Sequence, residues 1–379
     1  MPAESSNLFA PLELGNVTLP NRIVVSPMCQ YSSEDGFAND WHLVHLGSRG
    51  VGGAGLVITE ATAVTPEGRI SPGDLGLWKD EHIVPLKRIV DFLHGQGTLA
   101  GIQLAHAGRK ASMRVPWLGE SPVPIEEGGW DDVLAPSAIA FSSNYKQPQA
   151  LDEAGIQRII EAFAIAAQRA FQAGFDVVEI HAAHGYLLHE FLSPLSNQRN
   201  DKYGGSLDNR MRLLVSVVDA VREVWPQEKP LFVRISATDW AEGGWNLQSS
   251  ITLASQLSLR NVDLIDVSSG GLVPGVKIPV GPGYQTHFSE QIRRNTGVLT
   301  GTVGMITEAA QADHILRTGQ ADLVLMAREF LRDPYWALHA ADDLGQKIAW
   351  PVQYLRAANA GMPAREPISA DDAEALRLT

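Results

Sequence analysis

Apolar and polar positions along this chain predict a series of strands, each followed by a helix. Short, continuously apolar runs alternate with longer runs in which apolar residues recur every three or four positions, as in an amphipathic helix. Strands that are apolar throughout are expected to be buried on both faces of a parallel sheet. The predicted strands are Arg22–Ser26, Gly55–Thr59, Leu99–Leu104, Val177–Ile180, Leu231–Ile235, Leu264–Val267, Val298–Thr302 and Leu323–Met326.

The helices predicted between and after these strands favour a closed barrel. They are His42–Arg49, Glu81–His94, Asp152–Gln172, Asp208–Val224, Leu247–Leu259, Glu290–Arg294, Glu308–Arg317 and Tyr335–Leu344. Such a series predicts the α/β class, as a (β/α)8 TIM barrel that forms one domain over residues 1–379, with its active site at the carboxyl ends of the strands. A doubly wound open sheet is the alternative, weakened because no G-x-G-x-x-G follows the first strand.

Three kinds of segment lie outside this repeating pattern. Leu8–Leu19, with Gly15 and Asn16 at its middle, predicts a hairpin that closes the barrel floor. Residues 105–150 are rich in proline, glycine and tryptophan and predict a lid inserted after the third strand, because loops of this length usually cover binding sites. Gly185–Leu207 also lacks a clear period, and residues 351–379 form a C-terminal segment of weak pattern.

Composition and charge exclude several classes of partner. The chain carries 30 basic and 43 acidic side chains, a formal charge of −13, which argues against nucleic-acid binding. Its one cysteine, Cys29, excludes an internal disulfide and a cysteine-ligated cluster. No apolar run reaches the length of a membrane span, and the N-terminus lacks the pattern of a signal peptide. We therefore expect a cytoplasmic protein with no membrane partner.

The residues that follow the fourth predicted strand suggest chemistry on an oxygen-containing substrate. His181 and His184 are followed at once by Tyr186. Two neutral imidazoles and a phenol can hold an oxygen atom and deliver a proton beside it, which would polarise a carbonyl or nitro group while a hydride arrives. With His189 they could instead form a metal site, but no carboxylate or thiolate stands at matching spacing, so we expect no metal.

Arg234 and the last two strand ends suggest an anionic ligand. Arg234 lies inside an apolar strand, where a charge is costly unless it is paired. Its partner would be an anionic cofactor atom or a buried carboxylate such as Glu179. The loops after strands seven and eight form the usual phosphate site of this barrel, where Gly304 allows close backbone approach. Arg328 could bind that phosphate or form a surface ion pair at a helix start.

Seven segments together carry a resemblance to a known family. The chain resembles an old yellow enzyme, an FMN-dependent ene-reductase, of the branch with a single regulatory cysteine, from about Leu8 to Arg356. The matching segments are Asn21–Ser32, Ile58–Ile70, Gly101–Ser112, Glu179–Pro194, Asn197–Arg212, Leu231–Ser236 and Pro351–Arg356. Each would be weak evidence alone, whereas seven in the same order at barrel strand ends are highly specific.

The resemblance implies that FMN lies across the mouth of the barrel. Cys29 would touch the flavin edge and tune its potential, Gln103 would bond the pyrimidine ring, and Arg234 would lie near N1 and O2. The residues implied in FMN binding are Ser26, Pro27, Met28, Cys29, Ala61, Gln103, Arg234, Gly304, Met305 and Arg328, the last three at the phosphate.

The resemblance also implies the substrate site. His181 and His184 would bond the substrate's oxygen, Tyr186 would donate a proton, and Tyr31 would shape the pocket. Arg356 would either reach the active site of a neighbouring subunit or remain an ordinary surface arginine. We therefore expect a homodimer or homotetramer.

The implied reaction is a ping-pong cycle. NADPH, or NADH, would pass a hydride to flavin N5 and leave, and an α,β-unsaturated ketone, aldehyde, imide or nitroalkene would then take the hydride. Two alternatives remain open: a flavin-free barrel lyase or isomerase, and a flavoprotein that binds or senses. One departure from the family is the long, tryptophan-rich segment Val115–Asp132, so the pocket ceiling and the substrate range do not carry over.

Overall fold

Eight parallel strands close into a barrel in the computed structural model, which describes residues 7–365. Neighbouring strands pair in chain order and the last pairs with the first, so the barrel prediction is confirmed and the open-sheet alternative is wrong. The strands are β1 (Ile23–Val25), β2 (Leu56–Ala63), β3 (Leu99–Ala105), β4 (Val177–Ala182), β5 (Leu231–Ser236), β6 (Leu264–Ser268), β7 (Leu299–Thr302) and β8 (Leu323–Met326). They are almost entirely buried, as their continuous apolar pattern predicts.

One main helix follows each strand and packs on the outside of the barrel. These helices are α1 (Asp40–Val51), α2 (Ile83–Gly95), α3 (Glu153–Ala173), α4 (Leu207–Val224), α5 (Leu247–Ser258), α6 (Thr286–Thr296), α7 (Ala309–Arg317) and α8 (Trp336–Asp343). In α3 the sequence sets both ends. The Asp152 side chain accepts a hydrogen bond from the Gly155 N–H at 2.6 Å, and Gly174 ends the helix at a φ of 89°.

A hairpin closes the floor of the barrel, as predicted. Its strands, Leu12–Leu14 and Val17–Leu19, are antiparallel, and Gly15 turns the chain at a φ of 57°. Leu14 and Leu19 are buried in one cluster with Leu56 and Val177, which begin β2 and β4. Because these are the amino ends of the strands, the opposite, carboxyl end is left as the open mouth.

Several boundaries differ from the predicted ones for local reasons. Strand β2 continues to Ala63, and its register with β3 shifts between Ile58 and Ala61. Helix α6 is longer than the predicted Glu290–Arg294, because its inner face buries Thr286 and Ser289, which carry no apolar signal. The short helix Leu187–Leu192 lies in a segment that showed no period, since all six of its residues are buried and no polar face marks the helix.

The long connections pack against the barrel. The lid contains 3-10 turns at Pro116–Leu118 and Ile125–Glu127, and its far part pairs Leu134–Ala135 with Gln149–Ala150. The C-terminal segment pairs Trp350–Pro351 with Ala364–Arg365, and its residues 366–379 lie outside the described part of the chain. Within the described part, no helix is long and apolar enough to cross a membrane.

Candidate active site

His181, His184 and Tyr186 lie together at the carboxyl end of β4. The ring of His181 is 5.2 Å from that of His184 and 5.0 Å from that of Tyr186, measured between centroids, and both contacts are edge-to-face. His181 is buried, whereas His184 and Tyr186 are half-buried at the mouth. The structure therefore brings together the three residues predicted to bond and protonate a substrate.

The backbone of His184 is strained and is held from three sides. Its φ of 57° is uncommon for a residue other than glycine. Its N–H donates to Ser236 Oγ at 2.9 Å, its Nε2 lies 2.7 Å from Ser268 Oγ, and Lys110 Nζ donates to its carbonyl at 2.8 Å. Contacts that over-determine a strained residue are typical of functional sites, because they fix its side chain before a ligand arrives.

Two glycines let the loops after β4 and β6 meet backbone to backbone beside His184. A Cβ on Gly185 would lie 2.3 Å from the carbonyl oxygen of Gly271, and a Cβ on Gly271 would lie 2.6 Å from the Cα of His184. Both glycines have positive φ angles, of 73° and 89°. A side chain at either position would push His184 out of its place.

The protonation of the three residues suits hydrogen-bond donation. Burial lowers the pKa of His181 and of His184 well below the usual value, and the charge of Arg234 lowers both further, so both imidazoles are neutral. The Ala183 N–H donates to His181 Nδ1 at 3.3 Å, which places the ring hydrogen on Nε2. Burial raises the pKa of the Tyr186 phenol well above 10, so that group keeps its proton.

His189, considered above as a third metal ligand, has a structural role. Its Nδ1 accepts from the Gly185 N–H at 2.9 Å, and its Nε2 lies 2.9 Å from Asp239 Oδ1. Asp239 also accepts from Ser193 at 2.6 Å. Both ring nitrogens are therefore occupied in holding the loop that carries His184. Across residues 7–365 no group of three histidine, cysteine or acidic side chains could hold a metal ion.

Cys29 and Tyr31 follow β1 and form the next wall of the mouth. Their side chains are hydrogen-bonded to each other, and the thiol also interacts with the backbone N–H of Ala61. Burial raises the pKa of the Cys29 thiol, and the nearby carboxylates of Asp74 and Glu60 raise it further. Cys29 is therefore a neutral thiol that can act as a weak donor, and it lacks the character of a thiolate nucleophile.

Polar side chains of β3 and β5 point into the centre of the barrel below the mouth. Gln103 donates to Glu179 Oε1 at 2.8 Å, and Arg234 Nη1 donates to Ser26 Oγ at 3.0 Å. The carboxylate nearest to the Arg234 side chain is Asp266, whose Oδ2 lies 3.1 Å from Nε. The acidic partner suggested from sequence, Glu179, was therefore the wrong choice for the direct ion pair.

A cavity of about 260 Å³ opens beside the ends of β7 and β8. Arg234, Gly304, Met305 and Arg328 are among its lining residues. Gly304 has a φ of 131°, and a Cβ there would lie 2.8 Å from the ring of Tyr284. The N–H groups of Gly304 and Met305 find no acceptor within residues 7–365. Glycine at this place thus leaves backbone donors open to an anion.

Arg328 begins the short helix Arg328–Arg332 and is exposed at the edge of this cavity. The surface ion pair considered for it is not found in the described part of the chain, where Glu329 pairs with Arg332 at 2.8 Å. A free guanidinium beside open backbone donors fits a phosphate group.

The mouth as a whole fits FMN. Ser26, Pro27 and Met28 follow β1, Gln103 and Arg234 lie below, and the cavity with Gly304, Met305 and Arg328 would take the phosphate. Ala61 is buried and shares a small cavity with Tyr186. The donors and the positive charge of this set suit a ring that gains negative charge on reduction and that carries a phosphate.

The lid reaches the mouth through Trp117. Its indole ring lies 5.8 Å from the ring of Tyr31, edge to face, although 66 % of Trp117 is exposed. The base of the lid is fixed, since the Trp130 Nε1–H donates to the Glu67 carbonyl at 3.0 Å and Arg114 pairs with Glu127 at 2.7 Å. An apolar side chain on a fixed loop thus forms one wall of the entrance.

Arg356 lies apart from these residues in the single chain. It is exposed on the 3-10 turn Val352–Ala357 and lines neither cavity at the mouth. The ring of the neighbouring Tyr354 lies 6.0 Å, edge to face, from that of Tyr335 in the loop before α8. A role for Arg356 in a partner's site stays a prediction.

Two site residues received no role from sequence. Lys110 follows the third strand, and its hydrogen bond to the His184 carbonyl depends on the fold rather than on a local pattern. Ser268 ends the sixth strand and is followed by Ser269, Gly270 and Gly271, a polar, glycine-rich strand end of the kind that lines a barrel mouth. That signal could have identified Ser268.

Comparisons with known proteins identify the family of this chain. A sequence model of the NADH:flavin oxidoreductase / NADH oxidase family matches residues 7–347. An NADPH dehydrogenase of Listeria innocua is 51% identical over 354 residues, which cover 93% of this chain and 99% of that protein. An NADPH dehydrogenase of Geobacillus sp. (strain WCH70) is 50% identical over 351 residues, 92% of this chain and 98% of the relative.

Solved structures show the same architecture. Morphinone reductase superposes with a TM-score of 0.75 at 30% identity and covers 92% of each chain. A 2-naphthoyl-CoA reductase superposes with a TM-score of 0.80 at 25% identity over 90% of this chain and 52% of the other. The chain therefore belongs to the NADH:flavin oxidoreductase / NADH oxidase family, the old yellow enzymes, and is an FMN-dependent oxidoreductase.

Proposed function

We propose that this enzyme uses NADPH, with NADH as a second reductant, to reduce activated carbon–carbon double bonds. Its substrates would be α,β-unsaturated ketones, aldehydes, imides and nitroalkenes. The observation that carries this proposal is the joint placement of His181, His184 and Tyr186 at the mouth as three neutral hydrogen-bond donors. When bound, FMN supplies the hydride chemistry, accepting from the nicotinamide and donating to the alkene.

The side chains of this protein would hold the substrate and move one proton. The neutral His181 and His184 donate to the carbonyl or nitro oxygen and draw electron density away from the β-carbon. Because His184 is already fixed by Ser236, Ser268 and Lys110, this donation costs little reorganisation, which is the basis of electrostatic catalysis. Tyr186 donates its phenolic proton to the α-carbon, and Tyr31 and Trp117 shape the entrance.

The residues proposed to hold FMN divide by the part of the cofactor that they would meet. The phosphate would take the backbone donors of Gly304 and Met305 and the guanidinium of Arg328. The ring would meet Gln103 and Arg234. It would also meet Ser26, Pro27, Met28 and Cys29, which follow β1, and Ala61 of β2.

The purified protein should be yellow and should be bleached by NADPH under anaerobic conditions. Addition of cyclohexenone should then restore the flavin absorbance, because the enone takes up the hydride and a proton. A matched experiment with cyclohexanone, which lacks the activated double bond, should leave the flavin bleached. A colourless protein would disprove FMN binding. Bleaching that no activated alkene reverses would overturn the proposed acceptor and favour the flavoprotein that only binds or senses.

Cys29→Ala should lower the two-electron potential of the bound FMN. A neutral thiol near the flavin is a weak donor that stabilises the charge added on reduction, and its loss should favour the oxidised form by roughly tenfold, or about 30 mV for a two-electron couple. Cys29→Ser is the matched variant, since it keeps a donor and should shift the potential less. Equilibration with a reference dye measures this. A potential that both variants leave constant would make Cys29 a packing residue.

Family membership disfavours the flavin-free lyase or isomerase, because that alternative has no use for the FMN-binding features.

The C-terminal segment supports a further proposal, that the chain forms a homodimer or homotetramer. Val352 and Tyr354 are 45 % and 41 % exposed beside the exposed Arg356, a surface that a second copy could cover. Sedimentation equilibrium measures the mass, and a monomer at micromolar concentration would contradict this assembly.

A further inference from the structure

Four successive strands place polar side chains in the buried interior of the barrel. They are Gln103 on β3, Glu179 on β4, Arg234 on β5 and Asp266 on β6, and the strand register pairs Gln103 with Glu179 and Arg234 with Asp266. None of the four is more than 5 % exposed. The cluster therefore has no bulk water to solvate its charges, and its protons must balance locally.

The contacts link the two carboxyl groups to the two residues proposed to meet the flavin ring. Glu179 Oε1 accepts from Gln103 at 2.8 Å. Asp266 Oδ2 lies 3.1 Å from Arg234 Nε, but the N–H does not aim at it, so this is an ion pair without a hydrogen bond. The Glu179 and Asp266 carboxyl groups lie within hydrogen-bonding reach of each other.

These contacts leave a deficit of donors. Glu179 Oε2 and both Asp266 oxygens find no donor within residues 7–365. Two ionised carboxylates in contact would repel each other, whereas a proton on one of them makes an O–H···O bond and leaves a single negative charge against Arg234. Burial raises the pKa of both carboxyl groups, and for Glu179 the charge of Asp266 raises it further.

We propose that Glu179 and Asp266 share a single proton and act as positioning residues for Gln103 and Arg234. Glu179 orients the Gln103 amide, and Asp266 holds the guanidinium whose Nη1 reaches Ser26. The cluster of one cation, one carboxylate and one carboxylic acid is then neutral. This inference rests on the proposed placement of FMN above Gln103 and Arg234.

The shared proton gives a distinctive pattern for isosteric variants. In Glu179→Gln or Asp266→Asn the remaining carboxyl group ionises against Arg234, so the cluster stays neutral. The affinity for reduced FMN relative to oxidised FMN should then change by less than tenfold, and the FMN potential by less than about 30 mV. In the double variant the Arg234 charge is uncompensated. It should favour reduced FMN by tenfold or more, a rise of about 30 mV for each tenfold.

A different number of protons on Glu179 and Asp266 would give different FMN potentials in these variants. If both carboxyl groups were ionised, each single variant would remove a negative charge and would by itself raise the potential. If both were protonated, none of the three variants would change the charge or the potential. Either result would overturn the proposal.

The test uses the FMN-loaded protein, reduced with dithionite in the presence of a reference dye, without NADPH or enone. Asp263→Asn is the matched control, since Asp263 pairs with Arg222 at 2.6 Å outside the barrel and should leave the potential unchanged. Infrared spectra of the same proteins provide a second measurement that does not require the double variant to fold. Burial also raises the pKa of Glu190 to about 8 and that of Asp74 to about 7, so the spectrum of each variant is subtracted from that of the wild type to cancel their bands. The difference spectrum of each single variant should contain a carboxylic-acid band. Difference spectra without this band would contradict the shared proton.

The experiment distinguishes a failure of the proposed function from a failure of the shared proton. If the wild type bound no FMN, the proposed function would fail, while the infrared band would still report on the proton. If FMN bound and the band or the potentials followed another pattern, the flavoenzyme assignment would stand and the shared proton would be wrong.

Discussion

Replacing Tyr186 by phenylalanine should slow enone-driven reoxidation of the NADPH-reduced enzyme by roughly 10²–10⁴-fold, the usual contribution of a positioned general acid. Reduction by NADPH should keep nearly its wild-type rate, since that half-reaction needs no proton from the phenol. Stopped-flow absorbance of the flavin measures the two half-reactions separately. Equal losses in both would mean that Tyr186 shapes the site and does not donate the proton.

Two other tyrosines provide controls for this experiment. Tyr203→Phe changes a buried phenol that packs 6.4 Å from Phe191, away from the mouth, and should alter neither half-reaction. Tyr31→Phe removes the neighbouring phenol at the entrance and should slow reoxidation much less than Tyr186→Phe.

The pKa of Tyr186 also predicts how the rate of reoxidation should depend on pH. Because burial holds the pKa of Tyr186 well above 10, the phenol is protonated throughout the neutral and mildly alkaline range. Reoxidation by the enone should therefore not decline as the pH rises from 6 to 9 through loss of this proton. A decline across that range in the wild type, absent from Tyr186→Phe, would place the pKa of the phenol lower and contradict the structural assignment.

The barrel and most of the candidate site were predictable because both depend on local sequence. Continuously apolar strands specify a doubly covered parallel sheet, and the residues just after such strands must line the mouth. His181, His184 and Tyr186 were found by this rule, and the structure groups them as expected.

What sequence missed depends on pairings between distant segments. Whether Arg234 meets Glu179 or Asp266 is decided by the register of β4, β5 and β6, which no local pattern records. The hold of Lys110 on His184 depends on how the lid packs across the barrel mouth. The extent of α6 was hidden because polar Thr286 and Ser289 are buried where apolar residues would have marked the helix.

Replacing both His181 and His184 by alanine should weaken the binding of phenolic ligands by about 100-fold or more. A phenolate oxygen resembles the enolate formed when a hydride adds to an enone, and each hydrogen bond to a charged oxygen contributes about 1.5 kcal/mol or more, so losing two costs about 3 kcal/mol. Titration with p-hydroxybenzaldehyde, followed by the flavin absorbance, measures this affinity. An unchanged dissociation constant would remove the role assigned to the pair.

Conservative variants and pH separate hydrogen bonding from mere packing. His181→Asn and His184→Asn keep a donor and should retain more affinity than the alanine variants, whereas His339→Ala changes an exposed histidine paired with Asp333 and should have no effect. Because burial and Arg234 hold both imidazole pKa values well below 6.5, the pair stays neutral as the pH falls to 6. Wild-type affinity should therefore follow the ionisation of the phenol itself. A further inflection near pH 6.5 that disappears in the alanine variant would show that a charged imidazolium binds the ligand, against the neutral donors inferred from the structure.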